Sequence, residues 1–330
     1  MQPVRGITYA AATNEAFQQA MEHHPETVQI GIGVNTPWYV GQTMKGLLDR
    51  FGGSRLIDTP VSENAVAGMA LGAALCGLRP VLTFSRMDFM HYAMDQLCNH
   101  ASAMVFSLGG QWKIPLTIRA IINRGGEQGA QHSQALQGFF QHVPGFRVVM
   151  PSNAADAKGM MIAAIQSDSP VVYIEDRWLY PLEAEVAEDY AAAPLEGARV
   201  VRHGADISLI ASSHAVTLCE KAAEELQVRH SVEAEVIDLR SIKPLDLPTL
   251  QQSIARTGRA LIVDAAWRSG GVAAEVMACL AESSAGQRPP VLARLTLPDC
   301  HAPSSGPLEA GYYLTVESIL TEARTLLRLK

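Results

Sequence analysis

The chain has 330 residues, of which 48% are hydrophobic and 18% charged, and a formal net charge of −7 at pH 7. That length suits two domains with substantial cores, and the acidic balance leaves no basic stripe for phosphate backbones, which excludes nucleic acid as the main partner. No apolar run approaches the roughly 20 residues of a membrane span, the N-terminus lacks a signal or transit pattern, and five widely spaced cysteines without a CxxC pair read as reduced thiols of a cytoplasmic protein.

Residues 7–23 carry apolar positions at helical spacing with Thr8 as a cap, and a strand, VQIGIGV, follows at 28–34. After a loop and a short helix ended by Gly52 and Gly53, a brief strand at 56–58 leads into DTPVSENAVAGMALGAALCGLRP, residues 58–80. There Glu63 stands just past a turn, at the head of a helix with no charge from Ala65 to Cys76; the pattern predicts a helix buried all round. A carboxylate entering such a setting is costly to bury unpaired, so it either caps the helix with Ser62 or binds something. Strands are predicted at Arg79–Phe84, Pro115–Ile122, Arg147–Met150 and Pro170–Ile174, with helices at Tyr92–Met104 and over DAKGMMIAAIQSD. This alternation means a parallel sheet covered on both faces, an α/β fold.

Residues 184–200 are acidic and lack a periodic apolar face, which predicts a linker between a domain at 1–183 and another at 201–330. Beyond it the α/β pattern resumes, with strands at 207–212, 234–239, 259–264 and 291–297 and helices between and after them.

Three stretches carry candidate chemistry. Gly31-Ile32-Gly33 follows the first strand, but no third glycine stands at Thr36 and no P-loop occurs, so Gly33 reads as the relief of a tight turn and a nicotinamide oxidoreductase as the weaker rival. GAQHSQ, residues 129–134, presents His132 on a Gly- and Gln-rich loop before a new helix, where an imidazole either shuttles protons or is simply solvated. SRMDFMHYAMDQ, residues 85–96, brings Phe89, His91 and Tyr92 to a strand end, as core packing or as a stacking face for a flat ligand. The histidines are too scattered to suggest a metal set.

Together with RLIDTPVSE, GAALCGLRPVLTF, AMDQLCNHA, VPGFRVVMPSNAADAKGMMIAAI, SPVVYIEDRWLY, EVIDLRSIKPLD and LPDCHAPSSGPLE, these pieces run through nearly the whole chain. In that order they resemble the β subunit of the thiamine-diphosphate-dependent 2-oxo acid dehydrogenases, of the pyruvate, branched-chain and acetoin type. The resemblance implies a transketolase-like pyrimidine-binding domain followed by a transketolase C-terminal domain. It implies that Glu63 hydrogen-bonds the aminopyrimidine ring of the cofactor and favours its imino tautomer, a task suited to a carboxylate whose pKa is raised by apolar surroundings. It further implies that Phe89 stacks on the pyrimidine, that His132 handles substrate or the incoming lipoyl group, and that backbone carbonyls of Ala164, Ser167 and Ser169 hold a potassium ion in some members. In this family the α subunit holds the Mg2+ and the diphosphate, so a chain with half a site is expected to work in an α2β2 heterotetramer, together with a lipoyl acyltransferase, on a 2-oxo acid.

The chain departs from the family in two places. Gly31-Ile32-Gly33-Val34 replaces a segment that usually carries an acidic pair, and Arg86 and His91 make the neighbourhood of Phe89 more basic, which points to an anionic or otherwise unusual substrate. Other readings are a thiamine-diphosphate enzyme without lipoate, making an aldehyde or acyloin or transferring as a transketolase does, and a non-catalytic assembly subunit.

Overall fold

The computed structural model describes residues 4–283 and 289–329. It divides into two compact units, one built from the chain up to Arg124 together with Phe139–Leu195, the other from Gly125–Gly138 together with the chain from Glu196 onward.

In the first unit β1 (Val4–Thr8) leads into α1 (Tyr9–His23), β2 (Thr27–Gly31), α2 (Leu47–Phe51), β3 (Leu56–Asp58), α3 (Glu63–Leu75) and β4 (Arg79–Phe84). There follow α4 (Ser102–Ser107), β5 (Thr117–Ile122), α5 (Gln137–His142, in this unit from Phe139 onward), β6 (Arg147–Val149), α6 (Ala154–Gln166), β7 (Val171–Asp176) and β8 (Glu183–Ala187). Within the unit the strands lie in the order β6-β7-β5-β4-β2-β3, and every pair is parallel. All six residues of β5 are buried, as expected of a strand covered on both faces. The Thr8 hydroxyl caps α1 by accepting from Ala11 N–H at 3.2 Å, as the sequence predicts. Where one helix was expected at Tyr92–Met104, the chain instead winds through a 3-10 segment, Met87–Ala93, and a wide π segment, Asp95–Ala101, before α4.

Two expectations are corrected. The start of the expected linker forms β8, antiparallel to β1; its alternation, with Val186 buried between exposed Glu185 and half-buried Ala187, is a strand signal masked by the acidic composition. Nor is α3 buried all round. Val66, Ala67, Ala70, Leu71 and Ala74 face the sheet, whereas Ala65, Gly72 and Cys76 are exposed and Met69 is 46% exposed. The helix has the sheet on one side only, and lack of charge records what its outer side omits rather than how deep it lies.

A fully buried ion pair stiffens the sheet. Arg119 on β5 donates to both carboxylate oxygens of Glu175 on β7 at 2.8 Å and to the Thr43 hydroxyl at 2.8 Å, while the Tyr180 hydroxyl donates to Glu175 at 2.5 Å. Burial opposes the Arg119 charge, but the Glu175 carboxylate outweighs it and holds the guanidinium pKa above its ordinary value.

The second unit contains β9 (Arg199–Arg202), β10 (Ile207–Ala211), α7 (His214–His230), β11 (Ala234–Asp238), β12 (Ser241–Lys243), α8 (Leu247–Thr257), β13 (Arg259–Trp267), α9 (Val272–Ser283), β14 (Val291–Leu297), α10 (Gly306–Ala310) and α11 (Val316–Leu327). Its sheet runs β14-β13-β10-β11-β9, parallel except for β9, with α7 and α11 packed over Leu209, Val236 and Leu261. Asp246 caps α8 and Gly258, in the left-handed region, ends it. Among the described residues no helix is long and apolar enough to cross a membrane.

Candidate active site

Strands β2 and β4 run side by side and deliver their last residues to the same edge, the position where open α/β sheets bind ligands. Gly31 closes β2 with φ +150°, and a Cβ there would come within 2.5 Å of the Thr83 carbonyl oxygen, so only glycine permits this approach. Gly33, with φ +74°, turns the chain and donates its N–H to the Asp58 carboxylate. A cleft is left between these turns and the start of α3.

Its walls are apolar, formed by Ile32, Val66, Leu82 and Phe84 with the half-buried ring of Phe89. Three polar groups face them. Glu63 is the first residue of α3 and half-buried, and its carboxylate engages no donor among the described residues. Ser62 makes no side-chain capping bond, so the helix-cap arrangement weighed from the sequence does not form through that residue. The Thr59 and Thr83 hydroxyl oxygens are buried in the same lining without partners. A buried polar group left unpaired costs about 1–3 kcal/mol, and native structures seldom tolerate several together. Two unpaired buried hydroxyls and a half-buried carboxylate around one apolar cleft suit a ligand with polar edges and a flat face. The pyrimidine end of thiamine diphosphate fits these residues.

Sequence reasoning singled out Glu63 and Phe89, which the structure brings into one cleft, but missed Thr59, Thr83 and the wall contribution of Ile32. Thr83 lies in a strand buried from Pro80 to Phe84, and no periodicity separates a hydroxyl that lines a cleft from one that packs in a core.

Arg86, two residues past β4, has an extended backbone conformation, and its carbonyl accepts from the Phe89 N–H at 3.1 Å. Its Nη1 donates only to the Ser85 carbonyl at 3.1 Å, and its Nε is buried without a partner. His91 is exposed and meets the Phe139 ring edge-on at 5.6 Å between centroids.

His132 belongs to the second unit, in a turn rather than at a helix start, and is half-buried. Its loop passes through left-handed conformations at Gly125, Gly126, Glu127 and Gly129. Within that unit Glu127 N–H donates to Glu309 at 2.8 Å, the Glu127 carboxylate accepts from Gly306 N–H, and Gln137 donates to Asp264 at 3.1 Å, so both ends of the loop are tied down.

The turn expected to hold potassium has its carbonyls engaged. That of Ala164 accepts from Ser167 N–H at 3.2 Å, that of Ser169 from the Ser167 hydroxyl at 2.8 Å, and that of Ser167 from Arg79 Nη1 at 3.1 Å.

Comparison with known proteins agrees with this architecture. Residues 5–183 match the transketolase pyrimidine-binding domain and residues 196–319 the transketolase C-terminal domain. The chain is 36% identical to the acetoin:2,6-dichlorophenolindophenol oxidoreductase subunit beta of Cupriavidus necator, over 98% of each chain, and 35% identical to the corresponding subunit of Bacillus subtilis, again over 98% of each. It is also 36% identical to the chloroplastic pyruvate dehydrogenase E1 component subunit beta-2 of Arabidopsis thaliana, over 96% of this chain and 77% of that one. A solved structure described as a split-gene transketolase, inactive beta4 tetramer, shares the fold with a TM-score of 0.79 and 20% identity, over 99% of this chain and all of that one. With both domain types in order and relatives of this similarity along nearly its whole length, the chain belongs to the transketolase-like family of pyruvate and acetoin dehydrogenase β subunits.

Proposed function

We propose that this chain is the pyrimidine-holding subunit of a thiamine-diphosphate-dependent enzyme that decarboxylates a 2-oxo acid and passes the acyl group to a lipoyl acceptor. The observation that carries the reading is the convergence of one unpaired carboxylate and two unpaired hydroxyls on a single apolar cleft. Thiamine diphosphate, when bound, supplies the nucleophilic carbon and the electron sink for loss of carbon dioxide. Phe89 offers a stacking face, and Ile32 and Val66 keep water from the ring. The Glu63 carboxylate accepts a hydrogen bond from a ring nitrogen and so holds a proton at that edge, a role in which a positioned acid or base contributes about 10²- to 10⁴-fold. Thr59 and Thr83 fix the orientation of the ring within the cleft. His132 serves the substrate or the acyl acceptor as proton donor and acceptor.

The sequence has no phosphate loop, which supports a split site: a partner α subunit holds Mg2+ and the diphosphate, in an α2β2 heterotetramer. Purifying the chain with its co-expressed partner and measuring thiamine diphosphate binding by calorimetry tests this. Binding is expected for the complex and not for the chain alone; tight binding by the isolated chain contradicts the split site. Full activity of the complex carrying Glu63→Ala makes the chain an assembly subunit.

A second reading keeps the cofactor and drops lipoate, yielding an aldehyde or acyloin or a transketolase-type transfer. It is favoured by Ile32, which lines the cleft in the segment where an acidic pair was expected. Arg86 and His91 are then specificity residues for a substrate with an extra anionic group, a reading supported by the Arg86 guanidinium, which pairs with no carboxylate among the described residues. Product analysis with pyruvate and branched 2-oxo acids, with and without a lipoyl domain, separates the two readings. Unchanged substrate preference in both Arg86→Ala and His91→Ala removes the specificity assignment.

A further inference from the structure

The loop that carries His132 is rich in glycine, which leaves a chain free to take many shapes. Yet Glu127 stands in it at φ +59°, in the left-handed region that glycine enters without strain. The side chain has a use there. Its carboxylate accepts from Gly306 N–H at the head of α10, and the Glu127 N–H donates to Glu309 Oε2 at 2.8 Å. The buried Glu309 is tied to the loop a second time through the Tyr313 hydroxyl, which accepts from Gly125 N–H at 3.4 Å and donates to Glu309 Oε1 at 3.5 Å.

The far end of the loop is held by Gln137, which is 1% exposed. Its Nε2 donates to Asp264 Oδ1 at 3.1 Å, and its Oε1 is buried with no partner. An apolar side chain would fill this position without leaving an oxygen unpaired, so the bond to Asp264 is what the amide contributes. Asp264 is fixed in turn, because its Oδ2 accepts from Ala273 N–H at 3.1 Å in the first turn of α9. Beside it the chain passes so close to the Gly270 carbonyl oxygen that a Cβ at Gly138 would come within 2.6 Å. Every one of these residues belongs to the second unit.

We propose that Glu127 and Gln137, five residues before and five after His132, are positioning residues that hold this imidazole where it meets the substrate or the acyl acceptor. The assignment rests on the role given to His132 above. An imidazole transfers a proton only from within hydrogen-bond reach of the reacting atom, and a misplacement of about 1 Å costs about 10²-fold. A loop this rich in glycine keeps such precision only if side chains on both flanks fasten it.

Hydrogen exchange across residues 125–136 and carbon dioxide release from pyruvate and a branched 2-oxo acid, both in the complex purified with its partner, test this. Glu127→Gly suits the backbone and removes the carboxylate, whereas Gln137→Leu keeps the bulk and removes the donor. Each is expected to melt close to wild type, to speed exchange of the loop about 10-fold or more, and to lower kcat about 10- to 100-fold with thiamine diphosphate affinity unchanged. Glu127→Gln, which keeps an acceptor, should restore most of kcat. In a His132→Ala background Gln137→Leu should lower kcat no further, since no imidazole is left to place; losses that multiply overturn the proposal. Wild-type exchange and kcat in both single variants overturn it as well. Full activity of His132→Ala removes the role of His132 itself, whereas an impaired His132→Ala beside unimpaired Glu127→Gly and Gln137→Leu removes only the positioning assignment. Should Glu127→Gly not fold, Gln137→Leu and its combination with His132→Ala decide.

Discussion

The two ends of β4 are finished in opposite ways. At its first residue, Arg79 meets two carbonyls, Asp168 and Glu26, and the surrounding turn has its own carbonyls engaged. Near its last residues, the Thr83 hydroxyl is buried with no partner, the Thr59 hydroxyl in the same cleft lacks one as well, and the Glu63 carboxylate stands half-buried beside them. The Arg79 guanidinium finds its partners within the chain itself. Polar groups at a binding end are left for something else to satisfy. The contrast along this strand can be broken experimentally from either end.

The largest expected effect is at Glu63. Glu63→Gln keeps the size and removes the proton-accepting charge, and it should lower kcat/KM of the reconstituted complex by about 10²- to 10⁴-fold while leaving the melting temperature of the chain nearly unchanged. A comparable loss of stability would mean that the carboxylate is part of the scaffold. Next comes Gly31→Ala. The added Cβ meets the Thr83 carbonyl oxygen at 2.5 Å in a backbone conformation that side chains rarely adopt. The expected cost is roughly 2–4 kcal/mol in urea unfolding, together with loss of cofactor binding, since relieving the clash moves the strand ends that frame the cleft.

Thr83→Val separates the two kinds of end more finely. It removes an unpaired buried hydroxyl at nearly constant volume, so the unliganded chain should gain about 1 kcal/mol. The same change should weaken thiamine diphosphate binding by the complex about 3- to 10-fold, the worth of one hydrogen bond. Opposite signs for stability and binding are the signature of a group held in reserve for a ligand. A variant that loses stability would show instead that the hydroxyl is satisfied within the protein.

Much of this was legible in the sequence, and the failures have physical causes. The alternation of strands and helices, the Thr8 cap, the central strand at 117–122 and the pairing of Glu63 with Phe89 in one site follow from periodicity and from the matched fragments. The depth of α3 did not, because an uncharged helix reads the same whether both sides are covered or one. Thr83 did not, because a buried strand conceals which of its residues borders a cleft. The hydrogen bond from Arg79 to the Ile165 carbonyl, 86 positions away in the chain, did not show either, because no local pattern reports it.

The smallest expected effect lies at the satisfied end and depends on pH. Hydrogen bonding from Lys113, and then from Arg79, holds the Asp168 carboxyl below the usual carboxylate range. A carboxyl whose pKa is lower in the folded than in the unfolded chain adds stability above its unfolded value, about 3.9, and loses that contribution as pH falls through the folded value. Because the side chain is 42% exposed, the gain is on the scale of surface pairs, about 0.2–1 kcal/mol. Asp168→Asn should therefore melt slightly below wild type at pH 7, and the two curves should converge as the pH drops below about 4. Melting temperatures across pH 3 to 7 at low salt would measure this, and a gap that stays constant into acid would mean that Asp168 acts by shape rather than by charge. Raising the salt concentration at pH 7 should narrow the same gap by screening, whereas the effects of Glu63→Gln and Thr83→Val, set inside an apolar cleft, should barely respond.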